Sequence, residues 1–182
     1  MNAESQYLEI LRDILENGVK KDDRTGVGTL SLYGKSIRHS YEGAFPLLTT
    51  KKMFTRGIIE ELLWFLKGTE DASYLVEKNV HIWDQWMTDD KKLPHTYGVK
   101  WRNFDGVDQI ARLIDEVKTN PLSRRHVVSA WDPSHVNDAA LTWCHVMFQL
   151  FAIPNEYLPE EKRTDTKGRI GMTVYQRSAD FF

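Results

Sequence analysis

Cysteine is almost missing from this 182-residue chain, with Cys144 its single instance. One thiol can form neither an internal disulfide nor a cysteine-based zinc site. An excess of charge of one sign is missing too. The 24 Lys and Arg against 26 Asp and Glu leave a formal net charge of -2, so no global basic field points to duplex nucleic acid. No apolar run approaches a membrane span. The first residues, MNAESQYLEI, lack the basic-then-apolar order of a secretory signal. There is no internal repeat, no low-complexity tract and no linker that would divide the chain. These absences lead us to expect one cytoplasmic, reduced domain over residues 1–182, with no nucleic-acid partner, no membrane partner and no bound metal.

What is present suits a globular protein. Apolar residues make up 41% and charged residues 27%, and the length allows one domain with a real core. Tyr7, Leu8, Ile10, Leu11, Ile14 and Leu15 recur at helical spacing and predict a helix over 4–16 that stops at Asn17-Gly18. KKDDRTGVGT reads as a charged loop, and LSLYGKSIRHSY alternates like a strand or hairpin. FTRGIIEELLWFL, over 54–66, reads as a helix apolar nearly all round and therefore buried. A short helix is expected over 73–78, an irregular loop over 84–106, and an amphipathic helix over 107–118 ending before Asn120-Pro121. RHVVSAW, residues 143–153 and residues 169–176 read as strands, with a charged, turn-rich connection before the last.

Cys144 sits in ALTWCHVMFQ, and a lone cysteine in an apolar run is ordinarily a packing residue. The cations elsewhere weigh against that reading. Thiolate is the nucleophilic form, and a neighbouring arginine favours it. Arg124 and Arg125 open a strand, Arg177 closes another, and Arg24 lies in the glycine-containing loop RTGVG. Arginines so placed suit bidentate binding of phosphate or carboxylate, although each could equally be a solvated surface charge. RTGVG matches neither a P-loop nor a dinucleotide fingerprint. Glu61 precedes Leu62-Leu63-Trp64-Phe65-Leu66 on a helix with little polar face. A carboxylate there must be paired, hydrogen-bonded or raised in pKa, and a raised one can move protons near neutral pH. Trp83, Trp86, Tyr97 and Trp101 occupy a polar stretch. They are either aromatics pinning a loop to the core or a stacking wall for a flat heterocycle.

Set in order, DRTGVGTLSLYG, FPLLTTKK, IIEELLWFLKG, VHIWDQW, YGVKWRNF, GVDQI, NPLSRRHVVSAWDP, ALTWCH with Gln149, and YQRSAD make the chain resemble the thymidylate synthase family from about residue 5 to residue 182. The resemblance implies an α+β fold: a large mixed β-sheet flanked by helices, with sheets packed back to back in a homodimer. It implies that Cys144 attacks C6 of the uracil of dUMP, and that C5 then receives the one-carbon unit of the co-substrate 5,10-methylenetetrahydrofolate. Arg24 and Arg177, with Ser178 near, would bind the nucleotide phosphate. Arg124 and Arg125 would reach it from the other subunit. Asp180 would meet the pyrimidine through its backbone and lie near the folate. Glu61 would organise proton transfer through water, Tyr97 would assist proton removal at C5, and Trp83 would wall the folate. Lys51 would contact the folate's glutamyl tail. Trp86, His145 and Gln176 would line the substrate and folate side.

Four departures from the family pattern stand out. Thr142-Trp143 replaces the usual Pro-Pro or Ala-Pro before the cysteine. Pro94-His95-Thr96 replaces Gly-Pro-Val before Tyr97, and Lys100 replaces the Gln of YGxQW. The chain also stops at Phe182, where the family continues, so the expected domain lacks the C-terminal third that carries the Asn reading the pyrimidine. Synthase chemistry is the first expectation, because YQRSAD, WDQW and ELLWFL match so closely. The alternatives are a deoxyuridylate or deoxycytidylate hydroxymethylase, in which water captures the methylene, and an inactive or split fragment that only binds nucleotide.

Overall fold

The computed structural model of the chain describes residues 2–22, 26–41, 45–163 and 167–181. They fall into two compact units, Met1–Phe54 with Asp180–Phe182, and Thr55–Ala179. Among the described residues no helix is long and apolar enough to cross a membrane.

The first unit is built on α1, Ala3–Asn17. Its N-terminus is closed by the Asn2 side chain, which accepts the Ser5 N–H at 2.7 Å. Polar side chains of α1 then hold an extended stretch of backbone. Gln6 both donates to the Arg38 carbonyl at 2.7 Å and accepts the Arg38 N–H at 2.9 Å. Glu4 accepts the Thr50 N–H at 2.8 Å, and the Thr49 and Thr50 donors hold its carboxyl below the usual range. The hairpin lies earlier than the alternation suggested. β1, Val19–Lys21, pairs antiparallel with β2, Thr29–Ser31, and residues 32–40 form no strand. Gly34 takes a left-handed φ of 72° that breaks the strand, and Gln6 supplies beyond it the backbone partners a neighbouring strand would give.

The second unit sets four helices against a sheet. The helices are α2 (Thr55–Lys67), α3 (Ser73–Glu77), α4 (Tyr97–Arg102) and α5 (Gln109–Thr119). The strands β3 (Val127–Ser129), β4 (His145–Pro154) and β5 (Gly168–Gln176) pair antiparallel in the order β3-β4-β5. The fold class is α+β, as expected. Where a large mixed sheet was implied, the described strands form antiparallel sheets of three and two strands. The core gathers Trp64, Phe65, Ala72, Leu75, Val80, Trp83, Leu93, Tyr97, Ala130 and Trp143.

Two expectations are corrected here. α2 is not buried all round: Gly57, Trp64 and Phe65 are buried, while Ile58, Ile59, Leu62 and Leu63 are 43 to 58% exposed. Arg56, Glu60 and Lys67 mark a polar side in its sequence, and packing buries only the stripe of Gly57, Trp64 and Phe65. The stretch 84–106 is not wholly irregular, since it contains α4 and a turn of 3-10 helix at Asp84–Trp86. Six residues are too few to be helical on propensity alone, so α4 owes its form to packing on α2. That packing requires Gly98. A Cβ there would lie 2.5 Å from the Phe65 carbonyl oxygen and 2.9 Å from its Cα. Gly98→Ala should therefore cost about 1–3 kcal/mol of stability, read as a lowered urea midpoint. A midpoint equal to wild type would contradict the close packing of α4 on α2.

Candidate active site

Cys144 lies half-buried immediately before β4, where the ladder with β5 opens. Its carbonyl accepts the Arg177 N–H at 2.9 Å. The Arg177 side chain then turns back across the same segment. Its Nε donates to the Trp143 carbonyl at 2.9 Å and its Nη2 to the Thr142 carbonyl at 3.0 Å. Nη2 also stands 3.8 Å from Cys144 Sγ. A permanent cation is thus held at contact distance from the only thiol by the backbone that carries the thiol.

Tyr97, the first residue of α4, meets Cys144 from the helical side. Its hydroxyl oxygen accepts the Cys144 N–H at 2.6 Å. The ring stacks on His145 at 3.8 Å, with Phe65 at 5.1 Å and Trp101 at 6.3 Å. Burial pushes the Tyr97 phenol up to about 12, against the lowering effect of the Cys144 and His145 N–H groups. The phenol therefore keeps its proton at neutral pH while its oxygen is engaged. Burial also lowers the His145 imidazole, which favours the neutral ring for stacking.

Glu61 on α2 is raised by burial, opposed by the Trp83 indole N–H that it accepts at 2.7 Å. Its neighbour Glu60 has a different task and accepts the Tyr74 hydroxyl. Trp83 is 7% exposed and packs among Trp64, Phe65 and Trp86 at 5.6 to 6.2 Å. Trp83 and Tyr97 belong to the core, and Trp86 and Trp101 pack half-buried against it. Of the two readings of these aromatics, pinning to the core is the one the packing supports, and Trp86 rather than Trp83 retains accessible surface.

The other expected site residues do not all gather here. Arg124 and Arg125 are exposed. The register pairs Val127 with Gln149, and the Leu150 N–H donates to the His126 carbonyl, which sets Arg125 level with Phe151. That is about 23 Å from Cys144 along a strand rising about 3.3 Å per residue. Gln149 donates to the Arg124 carbonyl at 3.3 Å. Gln176 and Ser178 flank Arg177, both exposed, and Gln176 pairs with His145 in the ladder. Lys51 and Asp180 belong to the first unit and are exposed. Arg24 lies outside the described residues.

Behind the cysteine lie three residues marked in the sequence as departures, Trp143, His95 and Lys100, with two that were given no role there, Asp132 and His135. Trp143 is fully buried and donates its indole N–H to the His95 carbonyl at 2.8 Å. Lys100 and Asp132, both 4% exposed, form an ion pair. Asp132 also bonds His135 Nδ1 at 2.6 Å and accepts the Ser134 N–H at 3.0 Å. Lys100 holds the Asp132 carboxyl far below the usual range. The one available signal was WDP, an Asp before Pro at a strand exit. Lys100 stood out only as the replacement for the Gln of YGxQW, in a stretch expected to be irregular.

The family model described as thymidylate synthase matches residues 5–182. A thymidylate synthase of Corynebacterium aurimucosum is 45% identical to this chain over 184 aligned residues, covering 98% of the chain and 64% of the relative. The chain thus spans a little under two thirds of that relative's length. Among the described residues no group of three His, Cys, Asp or Glu could hold a metal.

Two outcomes follow from the buried groups. Glu61 titrates above its ordinary 4.5, so its ionised form costs the fold stability as pH rises through the raised value. Glu61→Gln should therefore gain on wild type in urea midpoint as pH rises above the ordinary 4.5, and parallel profiles would refute the burial effect. Tyr97→Phe removes the acceptor for the Cys144 N–H. It should cost about 1–2 kcal/mol and speed hydrogen exchange at that amide. Unchanged protection would show that the bond is not maintained in solution.

Proposed function

This chain belongs to the thymidylate synthase family, and on that premise we propose that it transfers one carbon to C5 of dUMP, with Cys144 as nucleophile, yielding dTMP and dihydrofolate. The observation that carries this reading is the setting of Cys144, with the Arg177 guanidinium 3.8 Å from Sγ and the Tyr97 hydroxyl on its amide at 2.6 Å.

Cys144 Sγ adds to C6 of the uracil, and the displaced π electrons move onto C5 and the C4 carbonyl oxygen, making C5 nucleophilic. Once C5 carries the one-carbon unit, its hydrogen leaves as a proton and the electron pair left at C5 would expel the folate nitrogen from that carbon. When hydride reduces the carbon, the electrons return to the ring, the Sγ–C6 bond breaks and the ring double bond is restored. Tyr97 suits a relay for that proton, because its oxygen can receive one while its own proton passes on. Glu61, raised by burial, is assigned the ordering of water for that proton transfer. His145, stacked on Tyr97, fixes the phenol's plane. Arg177 and Ser178 bind the 5′-phosphate.

The residues fit a flat co-substrate in one respect: Trp86 stands half-buried and edge-on to Trp83 at 5.6 Å, giving an apolar surface backed by core. Bound 5,10-methylenetetrahydrofolate would supply the carbon and the hydride that reduces it. Trp86 and Gln176 would face it, with Trp83 backing Trp86. Arg124 and Arg125, remote from Cys144 in this chain, are assigned to the phosphate of a second copy in a homodimer with sheets back to back. The proposed setting is the cytoplasm, where a lone thiol stays reduced.

The test supplies dUMP labelled at C5 with tritium together with methylenetetrahydrofolate. Tritium release to water and dihydrofolate absorbance should rise together, and Cys144→Ala should lose both by at least about a thousandfold. Tritium release surviving in that variant would remove Cys144 from the nucleophile role. Accumulation of 5-hydroxymethyl-dUMP without dihydrofolate would assign the chain to hydroxymethylation instead.

A further inference from the structure

Three of the sequence departures meet in one place. Lys100 of α4 pairs with Asp132, which leaves β3. Asp132 bonds His135, and the His135 ring stacks on His95 at 4.1 Å. The His95 carbonyl takes the Trp143 indole N–H. The Trp143 ring lies 5.7 Å from Lys100 Nζ, which closes the circuit. His95 holds a left-handed φ of 56°, a strained conformation for a residue with a Cβ, and it is pinned there by the His95 N–H donating to Glu70 at 2.8 Å.

Both groups that meet Cys144 hang from this ring. Tyr97 lies three residues before Lys100, within one turn of the same helix. Arg177 bonds the carbonyl of Trp143 itself. A buried ion pair is rarely more stabilising than apolar packing of the same volume, but it is directional and admits few alternative geometries. Further donors on Asp132 from His135 and Ser134 satisfy the carboxylate, so the pair is complete rather than frustrated.

We propose that the circuit Lys100–Asp132–His135–His95–Trp143, buried at Lys100, Asp132 and Trp143 and half-buried at the two histidines, is a positioning device for Cys144, fixing the sulfur between Tyr97 and Arg177 without touching substrate. This rests on the nucleophile role given to Cys144 above. In this structure Trp143 acts on the reaction from within the core, through the backbone of the next residue, rather than by lining the ring site. The replacements at 95, 100 and 143 form one packing solution, and each depends on the others.

The test uses the full chain with Asp132→Asn alone and combined with Lys100→Gln, which exchanges the ion pair for a neutral hydrogen-bonded pair. Two readouts are taken: the kcat and KM for tritium release from dUMP, and the rate at which iodoacetamide alkylates Cys144, the only thiol in the chain. Asp132→Asn should lower kcat about tenfold with KM for dUMP within about twofold. It should also speed alkylation at least about threefold, as the segment loosens and exposes sulfur. The double variant should return both toward wild type. Trp143→Phe, which keeps the ring packing and removes only the indole donor, should move both readouts the same way by less. A folded Asp132→Asn with wild-type kcat and alkylation rate would overturn the proposal. So would a fall in kcat that merely tracks the unfolded fraction in circular dichroism while alkylation of the folded protein stays unchanged. If wild type releases no tritium, the functional reading fails, and alkylation still decides the positioning role.

Discussion

The hydrogen bond from the Cys144 amide to the Tyr97 hydroxyl joins the helical layer to the mouth of the sheet, and much of the second unit exists to keep its ends in register. Tyr97 is placed by α4, and α4 is placed by the contact of Gly98 with the backbone of Phe65. Cys144 is placed by the first rung beyond β4, where its carbonyl meets Arg177. A shift of either layer would leave a part-buried donor unsatisfied, at a cost comparable with a whole hydrogen bond. The helices and the sheet therefore slide little against one another at this point.

Burial raises both carboxylates near this seam, and their partners decide whether it wins. Glu61 has one indole donor, and burial prevails. Asp132 has an ammonium, an imidazole and an amide, which together hold it far below the usual range. The first is a group that can exchange protons; the second is a fixed charge. Chemistry and scaffolding are thus separated by partner count rather than by residue type. Tyr97 and His145 extend the rule to neutral groups, since burial keeps one protonated and the other uncharged.

Much of this could be read from residue order. α1 and α5 carry clear periodicity and end signals, with Asn2 and Asp108 as side-chain caps, and the strand runs near 127–129, 145–154 and 168–176 fall where apolar residues cluster. α2 was legible as a helix, but its burial was overread, because the apolar Ile58, Ile59, Leu62 and Leu63 stay exposed beside the charged side of Arg56, Glu60 and Lys67. β1 hid in a charged run, since a two-stranded hairpin at the surface needs no apolar pattern. α4 hid because tertiary contact, not propensity, makes it. Within the site, Cys144, Tyr97, Arg177 and Glu61 were visible as chemistry. The Lys100–Asp132 pair was not, because residues 32 apart in sequence show nothing of their pairing until the chain folds.

Arg177 is held twice, by its own N–H in the ladder and by its guanidinium on the carbonyls of residues 142 and 143. Those carbonyls are covalently continuous with the thiol it faces. Sulfur and cation are therefore tied through the same short run of backbone, and a displacement of the strand end carries both of their anchors together.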